Sequence, residues 1–134
     1  VNKATSISTR QINDAKQYDV TIKGGSFILP PGHSVLGVSK EKFIIPKNVI
    51  ALSFGKSTWA RRHFTTFITP LEPGWEGYLT IEMHNANSKT EIVVFEDTPI
   101  TQLVFFWVKD GVGYKGAYQN QPNRPVGALG MTHG

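Results

Sequence analysis

The chain has 134 residues, of which 40% are hydrophobic, and carries a formal net charge of +4. This length predicts one domain, and no apolar run approaches the roughly 20 residues of a membrane helix. No cysteine is present, which excludes disulfides, thiolate metal sites and a thiol nucleophile from these residues and fits a cytoplasmic protein.

The predicted elements are short strands separated by turns. Residues 1–17 are polar and aperiodic, which indicates an N-terminal arm, and the start at Val1 suggests that a preceding piece is missing. Alternation of period two then predicts strands over 19–23, 26–29, 34–38, 42–45, 49–53, 65–68, 78–85, 91–95 and 102–108. Residues 56–62 favour a short helix. The pattern predicts an all-β sandwich or barrel, with an arm at 1–17, a β domain at 18–121 and a tail at 122–134.

The strand "QLVFFWV" (residues 102–108) is apolar on both faces. A strand in a single sheet of one isolated domain is normally apolar on one face only, so both of these faces need cover from a second sheet or a neighbouring subunit. The strand therefore indicates an oligomer.

The strand "GYLTIEMHN" (residues 77–85) carries a carboxylate at its centre. Alternation places Leu79, Ile81 and Met83 on one face and puts Glu82 on the other, with Tyr78, Thr80 and His84. Taken alone, Glu82 fits an exposed strand residue better than a catalytic group.

The segment "GKST" (residues 55–58) resembles the end of a phosphate-binding P-loop. A P-loop needs a glycine where Ile50 stands, and a long helix that Pro70 and Pro73 exclude. Its residues still suit phosphate, and the modest positive charge favours an anionic ligand. Singly, Ser57 and Thr58 are also compatible with a helix cap, and the basic residues with an ordinary solvated surface.

Five segments together resemble the dCTP deaminase branch of the dUTPase-like superfamily. They are "FILPPGHSVLGVSKEKFIIPKNV", "GKSTWAR", "TPLEPGWEGYLTIEMHN", "TPITQLVFF" and "YKGAYQNQ", which together extend over about residues 27–121. The resemblance implies a distorted, jelly-roll-like β-barrel that assembles as a homotrimer with active sites shared between subunits.

The resemblance also implies the reaction: hydrolytic deamination of dCTP to dUTP and ammonia without zinc, feeding dUTP and dTTP synthesis. Zinc deaminases use a Pro-Cys-x-x-Cys motif, which a sequence without cysteine does not contain. Magnesium would arrive on the substrate triphosphate. We expect no nucleic-acid or membrane partner, and inhibition by dTTP stays open.

Site roles follow from the matched positions. Glu82 corresponds to the catalytic glutamate, Ser57 to a serine that holds the attacking water, and Arg61 to an arginine that orients that water. The residues that correspond to substrate contacts are Lys56, Thr58, Thr69, Leu71, Glu72, Tyr114, Lys115, Tyr118 and Gln121. Ala117 replaces a lysine common in the family, and the segment from Arg61 to Pro73 is shorter than usual.

Two other functions stay open. Glu72 stands ten residues before Glu82, at the position of the acid that activates water in dUTPases, so a bifunctional enzyme releasing dUMP and pyrophosphate is one alternative. The other is a catalytically silent module that binds nucleotides or a protein.

Overall fold

The computed structural model describes residues 3–8, 16–19, 24–109 and 113–127. They form nine strands and one helix: β1 (Lys3–Ser8), β2 (Lys16–Asp19), β3 (Ser26–Leu29), β4 (Ser34–Ile44), β5 (Val49–Gly55), α1 (Ser57–Ala60), β6 (Phe64–Phe67), β7 (Glu76–Asn85), β8 (Ile92–Phe95) and β9 (Thr101–Trp107). The all-β class with one short helix is thus confirmed. Within these ranges no helix is long and apolar enough to cross a bilayer.

The strands form three separate sheets. The largest has the order β2-β1-β4-β7-β6, and β3-β8 and β5-β9 form two-stranded sheets. The described strands do not close on themselves, so the distorted barrel expected from the resemblance is here an open arrangement of three sheets.

The N-terminal segment contains strands that the sequence pattern did not indicate. β1 pairs antiparallel with β4 and with β2, so parts of the segment 1–17, predicted only as an arm, join the largest sheet. Backbone pairing does not require an apolar pattern, and these polar residues gave no periodic signal. Residues 20–23 of the predicted strand 19–23 lie outside the described residues. The boundaries of arm, domain and tail remain predictions.

β4 is one continuous strand where the sequence predicted two, 34–38 and 42–45, and it contains a bulge. The pairing of β4 with β7 changes register between Val38 and Lys42. Inside this irregularity, the buried Ser39 hydroxyl donates to the Glu41 carbonyl (2.7 Å) and accepts from the Leu79 amide (2.9 Å). The bulge interrupts the backbone hydrogen bonds between β4 and β7, and the two hydrogen bonds of Ser39 take their place. The chain therefore stays extended from Ser34 to Ile44.

The core lies beneath the central sheet, where alternate residues of β7 are buried. Leu79, Ile81 and Met83 pack in one cluster with Val35 of β4 and the indole of Trp59. The predicted apolar face of β7 is therefore confirmed, and its other face is left for the residues around Glu82.

The β5–β9 sheet, called the β5–β9 ribbon below, exposes apolar side chains on both faces. Phe105 is 57% exposed and Trp107 83% exposed on one face of β9, and Phe106 is 47% exposed on the other. This confirms that the ribbon is not covered by its own chain in the described residues.

Candidate active site

An open cleft of about 530 Å³ lies against the central sheet. Its walls come from β4, β6 and β7, from the segment 69–72 that precedes the "PGWEG" turn, and from residues 114–127. We refer to this cleft as the cavity. It brings together parts of the chain that are far apart in sequence.

Glu82 lies in the cavity wall at the middle of β7. Its neighbours across the sheet are Leu36 on β4 and Phe67 on β6, which share its face because residues directly opposite in antiparallel strands point the same way. Among the described residues Glu82 forms no side-chain hydrogen bond or ion pair, and it is exposed. Its carboxylate is therefore available to a bound ligand.

The segment before the "PGWEG" turn is fixed to the edge of β5. The amide and carbonyl of Leu71 exchange hydrogen bonds with those of Ala51, at 2.9 and 3.1 Å. Leu71 is buried, whereas Thr69 and Glu72 on either side are exposed and line the cavity. One short bridge thus places both polar residues of this segment at the cavity.

Residues 114–127, called the C-terminal segment below, fold back onto the start of β7. The Trp75 indole donates to the Tyr118 carbonyl (2.7 Å), and the Glu76 amide donates to the Gln119 side-chain oxygen (2.7 Å). The Tyr78 amide donates to the Gln121 carbonyl (3.1 Å). These bonds hold Tyr118 and Gln121 at the cavity wall.

Both glycines of "PGWEG" permit this close approach. Gly77 has φ of 148°, and a Cβ there would lie 2.6 Å from the Gln121 amide nitrogen. Gly74 has φ of 81°, and a Cβ there would lie 3.0 Å from the Gly113 Cα. Any side chain at Gly77 would displace the returning segment from β7.

The family of this chain follows from comparison with known proteins. The protein-family model described as dCTP deaminase-like matches residues 2–108. This chain belongs to the dCTP deaminase-like family. Proteins named dCTP deaminase from Gemmatimonas aurantiaca and Herpetosiphon aurantiacus are 38% and 40% identical to it over 125 residues, or 90% of this chain and 67% and 66% of theirs. The one from Acidobacterium capsulatum is 38% identical over 119 residues, 82% of this chain and 64% of its own. The chain thus spans about two thirds of the length of these relatives.

The cavity contains only part of the site expected from the sequence. Of the twelve expected residues, seven line it: Thr69, Leu71, Glu72, Glu82, Tyr114, Tyr118 and Gln121. Five do not: Lys56, Ser57, Thr58, Arg61 and Lys115. Four of these five belong to α1 or flank it, and α1 begins two residues after β5 ends.

Helix α1 is anchored by one side chain and exposes the others. Trp59 is buried, contacts Phe64 at 5.0 Å between ring centroids, and donates its indole N–H to the Pro99 carbonyl (3.0 Å). Ser57 and Arg61 are exposed. Lys56 is the N-cap and makes no side-chain cap bond, so the capping alternative for the "GKST" hydroxyls is not observed.

Several cavity residues were missed by sequence reasoning. Thr80 and His84 share the outer face of β7 with Glu82, and that alternation was the signal that could have found them. Ser34, whose hydroxyl lies 2.8 Å from His84 Nδ1, and the 62%-exposed Phe67 reach the cavity through cross-strand register. Register is not readable from local sequence.

No three His, Asp or Glu side chains approach closely enough to hold a metal ion within the described ranges.

Proposed function

We propose that this chain deaminates dCTP hydrolytically to dUTP and ammonia, with Glu82 as the acid–base residue. The observation that carries the proposal is the position of Glu82, a carboxylate with no partner among the described residues, at the wall of a cavity in a dCTP deaminase-like chain. A carboxylate can take one proton from the attacking water and deliver it to cytosine N3, then take the second proton from the C4 hydroxyl of the intermediate and give it to the departing amine. The C4–N bond breaks, a C4=O bond forms, and ammonia leaves.

We propose that the remaining catalytic groups come from a neighbouring copy in a homotrimer. Ser57 and Arg61 are exposed outside the cavity of their own chain. β5 of the apolar β5–β9 ribbon leads directly into α1. The exposed apolar surface of the ribbon therefore lies next to the surface that carries Arg61. Burying the ribbon against a second copy would bring Ser57 and Arg61 to that copy's cavity. There Arg61, a permanent cation, would orient the water and Glu82.

The triphosphate is proposed to lie between α1 and the C-terminal segment. Lys56 and Thr58 would contact phosphate oxygens from one copy, and Tyr114, Lys115 and Tyr118 from the other. Magnesium would enter bound to the triphosphate, whose oxygens are the hard ligands that it prefers. Zinc has no role in this proposal, since the sequence offers no thiolate ligands.

The experiment is to incubate the chain with dCTP and magnesium and separate the nucleotides by anion exchange, with Glu82→Gln in parallel. We expect dUTP and ammonia with the unmodified chain only. Removal of a general acid–base group lowers kcat by about 10²- to 10⁴-fold. Binding of dCTP to the variant should persist, because the amide keeps the size of the carboxylate. Bound but unchanged dCTP in both proteins would instead indicate a silent binding module.

Glu72 supports a second candidate activity. It lines the same cavity as Glu82 and is exposed, so it could activate water against the α-phosphate of dUTP. In that case dUMP and pyrophosphate would appear in the same assay, and Glu72→Gln would stop the reaction at dUTP.

A further inference from the structure

We propose that Thr80 is a positioning residue that orients Gln121 and holds the C-terminal segment over the cavity. The inference rests on the proposed function, because it assigns this contact a role in binding dCTP. Thr80 lies two residues from Glu82 on the same face of β7.

One hydroxyl makes two hydrogen bonds to the returning segment. Thr80 Oγ1 donates to Gln121 Oε1 (3.0 Å) and accepts from the Val126 amide (3.1 Å). These contacts span six positions of the segment, from Gln121 to Val126, and both Val126 and the next residue, Gly127, line the cavity. Thr80 therefore fixes where this part of the segment lies.

The same hydroxyl also decides which end of the Gln121 amide faces a ligand. The Val126 amide has only an N–H to offer, so the Thr80 hydroxyl accepts there and its own proton goes to Gln121 Oε1. Among the described residues the Gln121 Nε2 group has no partner. Gln121 thus presents N–H donors to the cavity, which suit a phosphate oxygen or a base carbonyl.

The Gln121 backbone needs no help from Thr80 to stay near β7. Its carbonyl accepts from the Tyr78 amide (3.1 Å), and it forms an isolated bridge with Gly77. Removing the hydroxyl should therefore leave the fold intact and release the side chain of Gln121 and the backbone near Val126. This separates positioning from folding.

The test compares Thr80→Val with Thr80→Ser in the full chain. Valine keeps the shape and removes both hydrogen bonds, whereas serine keeps them. We expect Thr80→Val to raise KM for dCTP about tenfold, the effect of losing one or two modest hydrogen bonds, with kcat little changed. Hydrogen exchange at the Val126 amide should accelerate in the nucleotide-free protein. Thr80→Ser should restore both.

Thr66→Val is the matched control. Thr66 lies in β6 of the same sheet and does not line the cavity, and its buried hydroxyl has no hydrogen-bond partner among the described residues. The same chemical change there should alter neither KM nor exchange at Val126.

Three results would overturn the proposal: no change in Thr80→Val, faster exchange without a change in KM, or equal impairment of the valine and serine variants. Failure of the proposed function is separate, because the unmodified chain would then leave dCTP unchanged. The dissociation constant of dCTP, measured by calorimetry, would in that case replace KM in the same comparison.

Discussion

The cavity is held together by hydrogen bonds within one chain, whereas the β5–β9 ribbon has apolar side chains that one chain does not cover. Around the cavity, backbone and side-chain hydrogen bonds tie the C-terminal segment to β7 through Trp75, Glu76, Tyr78 and Thr80. The ribbon instead leaves Phe105, Phe106 and Trp107 exposed. Seven of the twelve expected site residues thus lie at the cavity of one chain, and four others lie on or beside α1, next to a ribbon that a single chain leaves exposed.

Placing a charge on the β5–β9 ribbon is the strongest test of the difference between the ribbon and the cavity. Trp107→Glu would place a carboxylate in the apolar surface proposed to be buried between copies, where an unpaired charge is strongly destabilising. We expect a monomer by sedimentation and loss of deaminase activity, with the circular dichroism spectrum retained. Ile28→Glu, at an exposed apolar position of the β3–β8 sheet, is the control and should remain assembled. Dissociation of the control alone would move the interface to that sheet.

Mixing two inactive variants would show whether the site is shared. Glu82→Gln disables the cavity and Arg61→Ala disables the α1 surface, so each protein alone should be inactive. After joint refolding at equal amounts, about a quarter of the sites should combine an intact cavity with an intact α1 surface. Activity would therefore return to about a quarter of that of the unmodified protein. No recovery would indicate that Arg61 and Glu82 act within the same chain.

Gly77→Ala tests how firmly the C-terminal segment is built into the cavity. The added methyl would meet the Gln121 amide nitrogen at 2.6 Å, and φ of 148° is unfavourable for alanine. We expect a loss of about 1–3 kcal/mol in the free energy of unfolding, measured by urea denaturation, and faster proteolysis near Gln121. Gly55→Ala, where a Cβ would have open space, should be nearly neutral.

The smallest effect concerns an ion pair that belongs to neither region. A hydrogen bond from Lys40, together with its charge, lowers the pKa of Asp97 below 3.8, and the same contact raises the pKa of Lys40 above 10.5. The stabilisation of the folded state by Asp97 is therefore present above pH 3.8 and is lost as pH falls through the lowered pKa. The stabilisation by Lys40 is present below pH 10.5 and is lost as pH rises through the raised pKa. Both side chains are highly exposed, so Asp97→Asn should leave the melting temperature at pH 7 unchanged. A clear drop would show that this contact is shielded from water.

Elements with strong alternation were predictable from sequence. In β7 the buried Leu79, Ile81 and Met83 repeat at every second residue, so the outward position of Glu82 followed directly. In β9 the absence of a polar face indicated the exposed ribbon. In both strands the information is local, because a strand's two faces are set by its own sequence.

Contacts that depend on pairing between distant segments were not predictable. The arrival of Phe67 opposite Glu82 depends on the register of β6 with β7. The joining of 34–38 to 42–45 depends on Ser39 reaching the Leu79 amide. The place of Val126 depends on the Thr80 hydroxyl. In each case the position of the residue depends on a hydrogen bond or a strand register between segments distant in sequence, which a local sequence pattern does not encode.

The direct passage from β5 into α1 has a consequence for how such an enzyme would respond to dilution. Only Lys56 separates the last residue of the ribbon strand from Ser57, so association between copies and completion of the site would be a single event. Specific activity should then depend on protein concentration, falling once the solution is more dilute than the dissociation constant of the assembly. Nucleotide that bridges two copies would oppose that fall, so substrate would act as a cross-link as well as a reactant.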